Sequence, residues 1–458
     1  MRTLFKGGAV VSGVGVRRAD LLVDGEKVAD IGRNLRAGAD RVVDVSGCFL
    51  FPGFVDAHTH FDLEVAGTVT SDDFRSGSRA ALRGGTTTII DFAAPDKGES
   101  LYSGLARWHE KADGKTLCDY GFHMTIDDWN EEVRNALPDM FAQGVSSFKM
   151  YMTYPAMMLG DRDLYQALKE LKRLGGICGV HCENAGVIDG MIAEKKAAGA
   201  LSPASHPQTR PPYLEAEAVS RLLRIAQAAD CPVIIVHLTN GEALEEVRRA
   251  RRRGQTVYVE TCPHYLTLDE SLYYQEDYSA AARYVCAPPL RDKAEQDTLW
   301  RALRRGEIQT VSTDHCSFTL EQKDLGREDF TRIPGGLPGV ETRGEVMWTC
   351  GVAQRRISAA QMCRLLSENP ARLYGLFPRK GLLQPGSDAD VVVYNPGGSH
   401  IILAEDCASA AGYSPYEGFA TSGCIRQVWL RGHLAVEDGN ILVPPTQGKY
   451  LARGKSSL

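Results

Sequence analysis

The sequence of 458 residues predicts an α/β fold, in which a (β/α)8 barrel is joined to a small β-sandwich. Two patterns predict this fold. The middle of the chain alternates apolar runs of strand length with helical stretches, which is typical of parallel β/α units. Both ends of the chain instead carry short strand-like runs separated by Gly and Asp turns. We expect residues 1–51 and 373–458 to form the sandwich together, and residues 52–372 to form the barrel.

The two terminal segments supply the predicted sandwich. Neither segment has enough strands to bury a core alone, so we expect them to pack against each other. The tail after Pro444 is polar and basic, and we expect it to be loosely held or to reach a neighbouring subunit. The predicted strands are 9–11, 21–25, 28–32 and 41–44 at the start of the chain and 388–394 and 424–432 near its end.

The middle segment reads as eight β/α units, as in a TIM-like barrel. That topology places active-site residues at the carboxyl ends of the strands. The predicted strands are 54–60, 86–92, 120–126, 147–152, 176–181, 233–238, 257–262 and 310–315. Helical stretches between them include 74–83, 163–174, 215–229 and 242–253.

Composition and charge exclude several classes of function. A net charge of −6 gives no reason to expect nucleic acid or an anionic membrane as a partner. The basic run at 248–253 follows several glutamates on a helical pattern, so we interpret it as a solvated helix face. Twelve cysteines without a C-x-x-C pair do not indicate a disulfide framework. The N-terminus lacks a signal-peptide core, and no apolar run is long enough for a membrane span, so we expect a cytoplasmic protein.

The most informative local feature is the pair His58 and His60, which lies at the end of the first predicted barrel strand. Residues i and i+2 of a strand share a face, so the two imidazoles can point at one metal ion. Taken alone, the pair fits equally well with two hydrogen-bonded core histidines.

Later predicted strands end in residues of the same chemical type. Lys149 lies on the fourth strand, and His181 and His237 lie at the ends of the fifth and sixth. Asp314 lies at the end of the eighth. Because all of these positions fall at the carboxyl ends of strands, the predicted fold and the predicted metal site support each other.

The number of candidate ligands favours two metal ions. Four histidines and an aspartate exceed what one catalytic Zn²⁺ uses, since such an ion keeps one position open for water. Two ions about 3.5–4 Å apart would use the set better. A bridging anion is then needed, and Lys149 supplies one only if its amine has captured CO₂ as a carbamate. By itself, Lys149 would be interpreted as one partner of a buried ion pair.

Seven short segments give the chain a resemblance to the dihydropyrimidinase/D-hydantoinase family of the amidohydrolase superfamily, over essentially its whole length. The segments are 52–60 (PGFVDAHTH), 84–88 (GGTTT), 147–149 (SFK), 261–266 (TCPHYL), 288–291 (PPLR), 313–316 (TDHC) and 336–339 (GLPG). The segment 413–419 (YSPYEGF) is similar to the bacterial phenylhydantoinases.

The resemblance implies roles for individual residues. One Zn²⁺ is assigned to His58, His60, carbamylated Lys149 (N6-carboxylysine) and Asp314, and the second to Lys149, His181 and His237. Hydroxide shared by the two ions would attack a ring amide carbonyl and give an N-carbamoyl amino acid. Asp314 would take the hydroxide proton and pass it to the leaving nitrogen. Tyr154 matches the family tyrosine that hydrogen-bonds the developing oxyanion.

The expected substrate is a 5-substituted hydantoin, with dihydropyrimidines such as 5,6-dihydrouracil as the alternative. By family position, the loops over the ring substituent carry Leu63, Val65, Tyr151 and Met158, which form an apolar set with one phenol. We therefore expect activity on 5-phenylhydantoin, with D preference.

The chain departs from many relatives at two substrate-binding positions. It has Ala287 where serine is usual and Gly335 where asparagine is usual. Backbone groups hold the cyclic imide there in the family, so the changes bear on substrate preference more than on activity.

Other readings are weaker. Dihydroorotases resemble H-x-H-x-R, and Asp62 stands here in place of the arginine that binds a substrate carboxylate. Allantoinases match the local segments less well. A non-catalytic scaffold, as in some dihydropyrimidinase-like proteins, would be expected to have lost the ligands, which this chain retains.

Nitrogen and oxygen ligands suit Zn²⁺, with Mn²⁺ or Co²⁺ also accepted. A homotetramer is implied only by the resemblance, and the sequence leaves the physiological substrate, the enantioselectivity and the metal used in the cell open.

Overall fold

The structure, a computed structural model, describes residues 1–35, 38–444 and 446–458. Its strands are β1 (Arg2–Lys6), β2 (Ala9–Ser12), β3 (Gly15–Arg18), β4 (Asp20–Asp24), β5 (Lys27–Gly32), β6 (Arg41–Asp44), β7 (Phe49–Pro52), β8 (Phe54–Thr59), β9 (Glu64–Val65), β10 (Thr68–Val69), β11 (Thr86–Ala93), β12 (Asp119–Thr125), β13 (Ser147–Tyr151), β14 (Ile177–His181), β15 (Val233–Ile235), β16 (Val257–Thr261), β17 (Thr310–Val311), β18 (Val391–Asn395), β19 (Cys424–Leu430), β20 (His433–Glu437) and β21 (Asn440–Ile441).

Helices fill most of the connections between the barrel strands. The α-helices are α1 (Phe74–Arg83), α2 (Leu101–Ala112), α3 (Glu131–Ala142), α4 (Asp161–Leu174), α5 (Ala185–Ala197), α6 (Ser205–Gln208), α7 (Pro212–Ala229), α8 (Gly241–Arg252), α9 (Pro263–Thr267), α10 (Tyr278–Ala282), α11 (Lys293–Arg305), α12 (Leu320–Lys323), α13 (Arg343–Met347), α14 (Ala359–Cys363) and α15 (Asn369–Leu373). Short 3₁₀ helices lie at Glu270–Tyr273, Asp324–Gly326, Phe330–Arg332 and Ala404–Asp406, and π-helical segments at Trp348–Ala353 and Arg364–Glu368. Within the described ranges, no helix is both long and apolar enough to cross a membrane.

The predicted barrel is confirmed. Eight parallel strands follow one another in the order β8, β11, β12, β13, β14, β15, β16, β17. The backbone N–H of His60 donates to the carbonyl of His315 at 2.8 Å, and the N–H of His315 donates to the carbonyl of His58 at 3.3 Å. These two bonds join the first strand to the segment that follows the last, so the ring of strands closes next to the His58–His60 pair.

Two barrel strands end earlier than predicted. β15 stops at Ile235 and β17 at Val311, so His237 and Asp314 lie on the loops just beyond their strands. Both residues have a positive φ, 39° for His237 and 50° for Asp314. A left-handed backbone cannot continue a strand ladder, which explains the early ends.

The helix α1 shows how local sequence positions these elements. Asp73 caps its N-terminus by accepting hydrogen bonds from the backbone N–H groups of Arg75 and Ser76, and the Ser76 hydroxyl completes a capping box. One face of the helix buries Phe74 and Leu82. The predicted bounds of this helix agree with the structure.

The two ends of the chain build the β-rich domain together, as predicted. β7 from the N-terminal segment pairs antiparallel with β18 from the C-terminal segment. They belong to a sheet ordered β21-β20-β19-β18-β7-β2-β3, which faces a second sheet ordered β5-β4-β1-β6. A shared core joins the two sheets, where the ring of Phe5 meets the edge of Trp429 at 5.0 Å between centroids. The domain limits at 51/52 and 372/373 stay predictions.

The expectation of a loosely held tail is wrong, because the tail packs on the chain's own barrel. Leu451 is fully buried, and its N–H donates to the carbonyl of Tyr120 at 2.7 Å. The guanidinium of Arg453 donates to the hydroxyl of Ser147 at 2.7 Å and to the carbonyl of Phe122. Buried backbone and hydroxyl groups of β12 and β13 therefore find partners in the tail.

A buried lysine ties the barrel to the β-rich domain. Lys380 lies 2.6 Å from Asp119 at the start of β12, 2.7 Å from Asp390 and 3.1 Å from Asp388. Its side chain is 1% exposed. Burial by itself would lower the pKa of Lys380, but the three carboxylates outweigh it and raise the pKa above its ordinary value. The Lys380 ammonium therefore stays charged at neutral pH.

We expect Lys380→Met to destabilise the fold by about 3 kcal/mol or more, because Lys380 is the only ion partner of the buried Asp390 carboxylate among the described residues. The matched control is Lys27→Met. Lys27 pairs with the same Asp388 at 2.7 Å, but its side chain is 51% exposed, so its loss should cost less than about 1 kcal/mol. Thermal unfolding midpoints of the two variants measure the difference. Equal midpoints would contradict a structural role for the buried cluster.

Candidate active site and metal centre

The predicted ligands meet at the carboxyl ends of the barrel strands. His58 lies on β8 and His60 directly follows it, while Lys149 lies on β13 and His181 ends β14. His237 and Asp314 come from the loops after β15 and β17, and all six residues are buried or nearly so. The fold thus brings together residues that are up to 256 positions apart (from 58 to 314) in the sequence.

One half of the cluster is centred on the Asp314 carboxylate. Its Oδ1 lies 3.2 Å from His58 Nε2 and 3.1 Å from His60 Nε2. Lys149 Nζ lies 3.3 Å from the same His58 nitrogen. Imidazole nitrogens and a carboxylate at these separations form a donor set that suits a divalent cation such as Zn²⁺.

The other half of the cluster contains His181 and His237. Their ring centroids are 4.5 Å apart, and the His237 ring lies 5.5 Å from that of His58. His58, His237 and Asp314 each offer a ligand atom, and these three atoms lie within 4.8 Å of one another. The two halves are therefore continuous.

Two glutamates orient the histidines, and sequence reasoning did not identify either one. His58 donates from Nδ1 to Glu260 at 2.6 Å, which leaves its Nε2 facing Asp314. His181 donates from Nε2 to Glu183 at 2.7 Å. Metal-binding histidines commonly give their second N–H to a carboxylate in this way, so the arrangement fits a metal centre. An available signal for Glu260 was an acidic residue inside the otherwise apolar strand β16; for Glu183 it was the spacing of two from His181.

Burial sets the protonation of the cluster. It lowers the pKa of His58 and His237 well below their usual value, with neighbouring cationic groups adding to the effect. Both imidazoles are neutral at pH 7 and keep a lone pair for a metal. Burial alone would raise the pKa of Asp314, but His58 and His60 outweigh it and hold the pKa well below its usual range.

Lys149 has an unusual environment for an ammonium group. Its side chain is buried, with Nζ 4.9 Å from the centre of the Phe92 ring and 5.1 Å from that of Tyr151. Among the residues that the structure describes, no carboxylate lies within ion-pair distance of Nζ. Within the described residues, Lys149 therefore does not form the simple buried ion pair that its sequence position alone would suggest. Burial lowers the pKa of Lys149, which favours the neutral amine.

Tyr154 lies beside this cluster. Its ring centroid is 5.2 Å from that of His181, and the Arg210 guanidinium lies 5.7 Å from the Tyr154 ring centre. Its φ of 68° is rare for a bulky residue and marks a backbone held by its surroundings. Burial raises the pKa of Tyr154, so the hydroxyl remains protonated and can donate a hydrogen bond.

Arg210 and Glu183 extend the site behind Tyr154. Arg210 donates to Glu183 at 2.7 Å, at the same carboxylate oxygen that accepts from His181. Burial would raise the pKa of Glu183, but the Arg210 guanidinium and the His181 bond outweigh it and hold the pKa well below its usual range. The carboxylate is thus ionised and can fix the His181 tautomer.

The predicted substrate-binding residues fall into three groups. Ala287 and Gly335 are neighbours, since a Cβ added at Gly335 would meet the Ala287 nitrogen at 4.0 Å. Tyr151 and Met158 pair through their backbones, with Tyr151 buried and Met158 38% exposed. Leu63 and Val65 belong to the half-buried segment around the β9–β10 hairpin. Their approach to a ring substituent stays a prediction.

A closed (β/α)8 barrel with histidines and an aspartate at its strand ends has the architecture of metal-dependent barrel enzymes. The chain belongs to the amidohydrolase family, whose model matches residues 49–435. It is 42% identical to a D-hydantoinase of Geobacillus stearothermophilus, over 99% of this chain and 97% of that protein. It is also 42% identical to a D-phenylhydantoinase of Escherichia coli O7:K1, over 99% of this chain and 98% of that one.

A solved structure gives the same result for the fold. The dihydropyrimidinase from Brevibacillus agri NCHU1002 superposes with a TM-score of 0.98 at 40% identity, and the match covers 100% of both chains. The resemblance seen in the sequence motifs is therefore confirmed at the level of the family and of the fold.

If Glu260 orients His58 for a metal, Glu260→Gln should weaken metal retention about 10- to 100-fold, because the neutral amide holds the imidazole less firmly. The control is Glu242→Gln, an exposed position on α8. Metal content after dialysis against graded chelator concentrations measures the effect. Equal retention by the two variants would argue against an orienting role for Glu260.

Proposed function

We propose that this chain opens the ring of 5-substituted hydantoins and releases N-carbamoyl amino acids, with 5,6-dihydropyrimidines as the second candidate substrate class. The chain is a cyclic amide hydrolase, since its family and its full-length hydantoinase relatives share that reaction class. The observation that carries the proposal is the convergence of six candidate ligands at the carboxyl ends of the barrel strands, with the Tyr154 ring 5.2 Å from that of His181.

We infer that the cluster holds two divalent ions, with Zn²⁺ the preferred metal and Mn²⁺ or Co²⁺ acceptable to the same nitrogen and oxygen donors. When bound, such ions would activate a water molecule and polarise the ring carbonyl. The residues that would hold the first ion are His58, His60, Lys149 and Asp314, and those for the second are Lys149, His181 and His237. The oriented histidines and the ionised Asp314 support this assignment.

Lys149 would join the two halves as a carbamate. The neutral amine adds to CO₂ and loses one proton, which gives a carboxylate-like anion with two oxygens. The buried position of Lys149, its lowered pKa and the absence of a nearby carboxylate partner among the described residues all favour the amine over the ammonium.

Asp314 and Tyr154 carry the proton and charge movements. The ionised Asp314 accepts a proton from the attacking water and delivers it to the ring nitrogen as the carbon–nitrogen bond breaks. The Tyr154 hydroxyl donates a hydrogen bond to the carbonyl oxygen while that oxygen gains negative charge. The low pKa of Asp314 and the raised pKa of Tyr154 place each group in the required protonation state at neutral pH.

The choice of hydantoins rests on the apolar character of Leu63, Val65, Tyr151 and Met158 and on the relatives. D preference is supported by relatives described as D-hydantoinase and D-phenylhydantoinase. The solved structure with the same fold is described as a dihydropyrimidinase, which supports 5,6-dihydropyrimidines as the second candidate substrate class. A homotetramer and a cytoplasmic location stay predictions.

The test compares three substrates with zinc-loaded protein: D-5-phenylhydantoin, L-5-phenylhydantoin and 5,6-dihydrouracil. We expect carbamoyl product to form fastest from the D enantiomer, because the apolar loops accept an aryl group. An Asp314→Asn variant with retained fold serves as the inactive control. Rapid ring opening of 5,6-dihydrouracil without hydantoin turnover would show that dihydropyrimidines are the substrate class. If protein that contains two metal ions per chain forms no carbamoyl product from any of the three substrates, the proposed function is contradicted.

A further inference from the structure

A third buried lysine, Lys323, lies outside the set of candidate metal ligands. Lys323 ends the short helix α12 and is 1% exposed. Its Nζ donates to three backbone carbonyls, those of Val285 at 2.8 Å, Pro334 at 2.6 Å and Gly336 at 2.8 Å. An ammonium group has three N–H donors, so each donor has one acceptor.

The environment of Lys323 differs from that of an ordinary buried lysine. In the described part of the chain, no carboxylate lies within ion-pair distance of Nζ, and the Phe318 ring covers it at 5.5 Å. A buried charge without a counter-ion is costly, and its hydrogen bonds must offset that cost. Because the described polar contacts of the Lys323 ammonium group are main-chain carbonyls of two loops, the lysine is well suited to fixing those loops.

The two loops are the ones that carry Ala287 and Gly335. The strip 285–287 and the strip 334–336 are joined directly by one bond, from the Gly336 N–H to the Val285 carbonyl at 2.9 Å. The strip 285–287 is also held from behind, because His206 donates from Nε2 to the Cys286 carbonyl at 2.7 Å. Lys323 adds one bond to the first strip, at Val285, and two to the second, at Pro334 and Gly336.

The same strips are short of side chains that could hold a ring. Ala287 and Gly335 offer a methyl group and a hydrogen atom, so only their backbone N–H and C=O groups can bind a cyclic imide. Backbone groups bind well only when the loops that carry them are fixed beforehand. Whatever fixes the spacing of these two strips therefore sets the affinity for the ring.

We propose that Lys323 is a positioning residue for substrate binding, which clamps the Ala287 and Gly335 strips at the spacing that a cyclic imide requires. This inference rests on the proposed function, since it takes the ring to bind between the two strips. Lys323 acts through the backbone and does not touch the reacting atoms. Its loss should raise KM and leave metal binding and kcat nearly unchanged.

The test is Lys323→Met, which keeps the length of the side chain and removes all three donors. We expect KM for the preferred ring to rise about tenfold or more, with kcat within about threefold of the unmodified enzyme and the same metal content per chain. The matched control is Lys293→Met on the exposed start of α11, which should leave KM unchanged.

Two outcomes would overturn the inference. A KM within twofold of the unmodified enzyme would show that the strips keep their spacing without Lys323. A fall in kcat and metal content with unchanged KM would give Lys323 a role in the metal centre instead. Absence of ring opening by the unmodified enzyme would instead overturn the proposed function on which the inference rests, whereas an unchanged KM in the Lys323 variant overturns the inference alone.

A measurement on the unmodified enzyme decides the matter if Lys323→Met does not fold. Burial lowers the pKa of Lys323 to about 7, against a small opposing effect of the Cys286 and Cys316 thiols. Other titratable groups near Lys323 keep one protonation state over this range, because burial lowers the pKa of His206 to about 3 and raises that of Tyr278, whose hydroxyl donates to the Lys323 carbonyl, to about 12. Above pH 7 the amine of Lys323 has two donors for three carbonyls. We expect KM to rise between pH 6 and pH 8.5, and a flat KM over that range would overturn the clamp.

Discussion

The hydrogen bonds that close the barrel are the constraint on which the site depends. They run between the backbone of His315 and that of His58 and His60. The bonds that close the ring of strands therefore also place His58, His60 and the neighbouring Asp314. The His315 side chain reinforces the joint. Its Nε2 donates to Asp72 at 3.0 Å, and its Nδ1 accepts from the N–H of Gly339 at 3.0 Å. Asp314, which precedes His315, is thereby held in a left-handed conformation facing the two histidines.

Three buried lysines show how surroundings give one residue type different roles. Lys380 faces carboxylates, keeps its charge and ties the barrel to the β-rich domain. Lys323 faces carbonyls and joins two loops. Lys149 faces aromatic rings and an imidazole, and its lowered pKa suits an amine that reacts with CO₂. The atoms around each lysine, and not burial alone, decide whether it holds the structure together or can react.

Much of the barrel could be predicted from sequence, because its strands are apolar runs and its helices have clear ends. The H-x-H pair and the motif segments placed the candidate ligands at strand ends. The short strands β15 and β17 were predicted too long, since a positive φ at His237 or Asp314 leaves no mark in an apolar pattern. Local sequence could mark Glu260 and Glu183 as unusual. The partner of Glu260, His58, and the contacts of the tail around Leu451 come from distant parts of the chain, which local patterns do not encode. Lys323 belongs to the same class, because its partners are backbone carbonyls.

The central claim is that the cluster holds two metal ions bridged by modified Lys149. Diffraction from crystals of the zinc-loaded protein, recorded at the zinc absorption edge, tests it directly. The account predicts two anomalous peaks about 3.5–4 Å apart, one beside His58, His60 and Asp314 and the other beside His181 and His237. Density for a carboxylate on Lys149 Nζ should lie between the peaks. A single peak, or an unmodified lysine beside two peaks, would contradict the account.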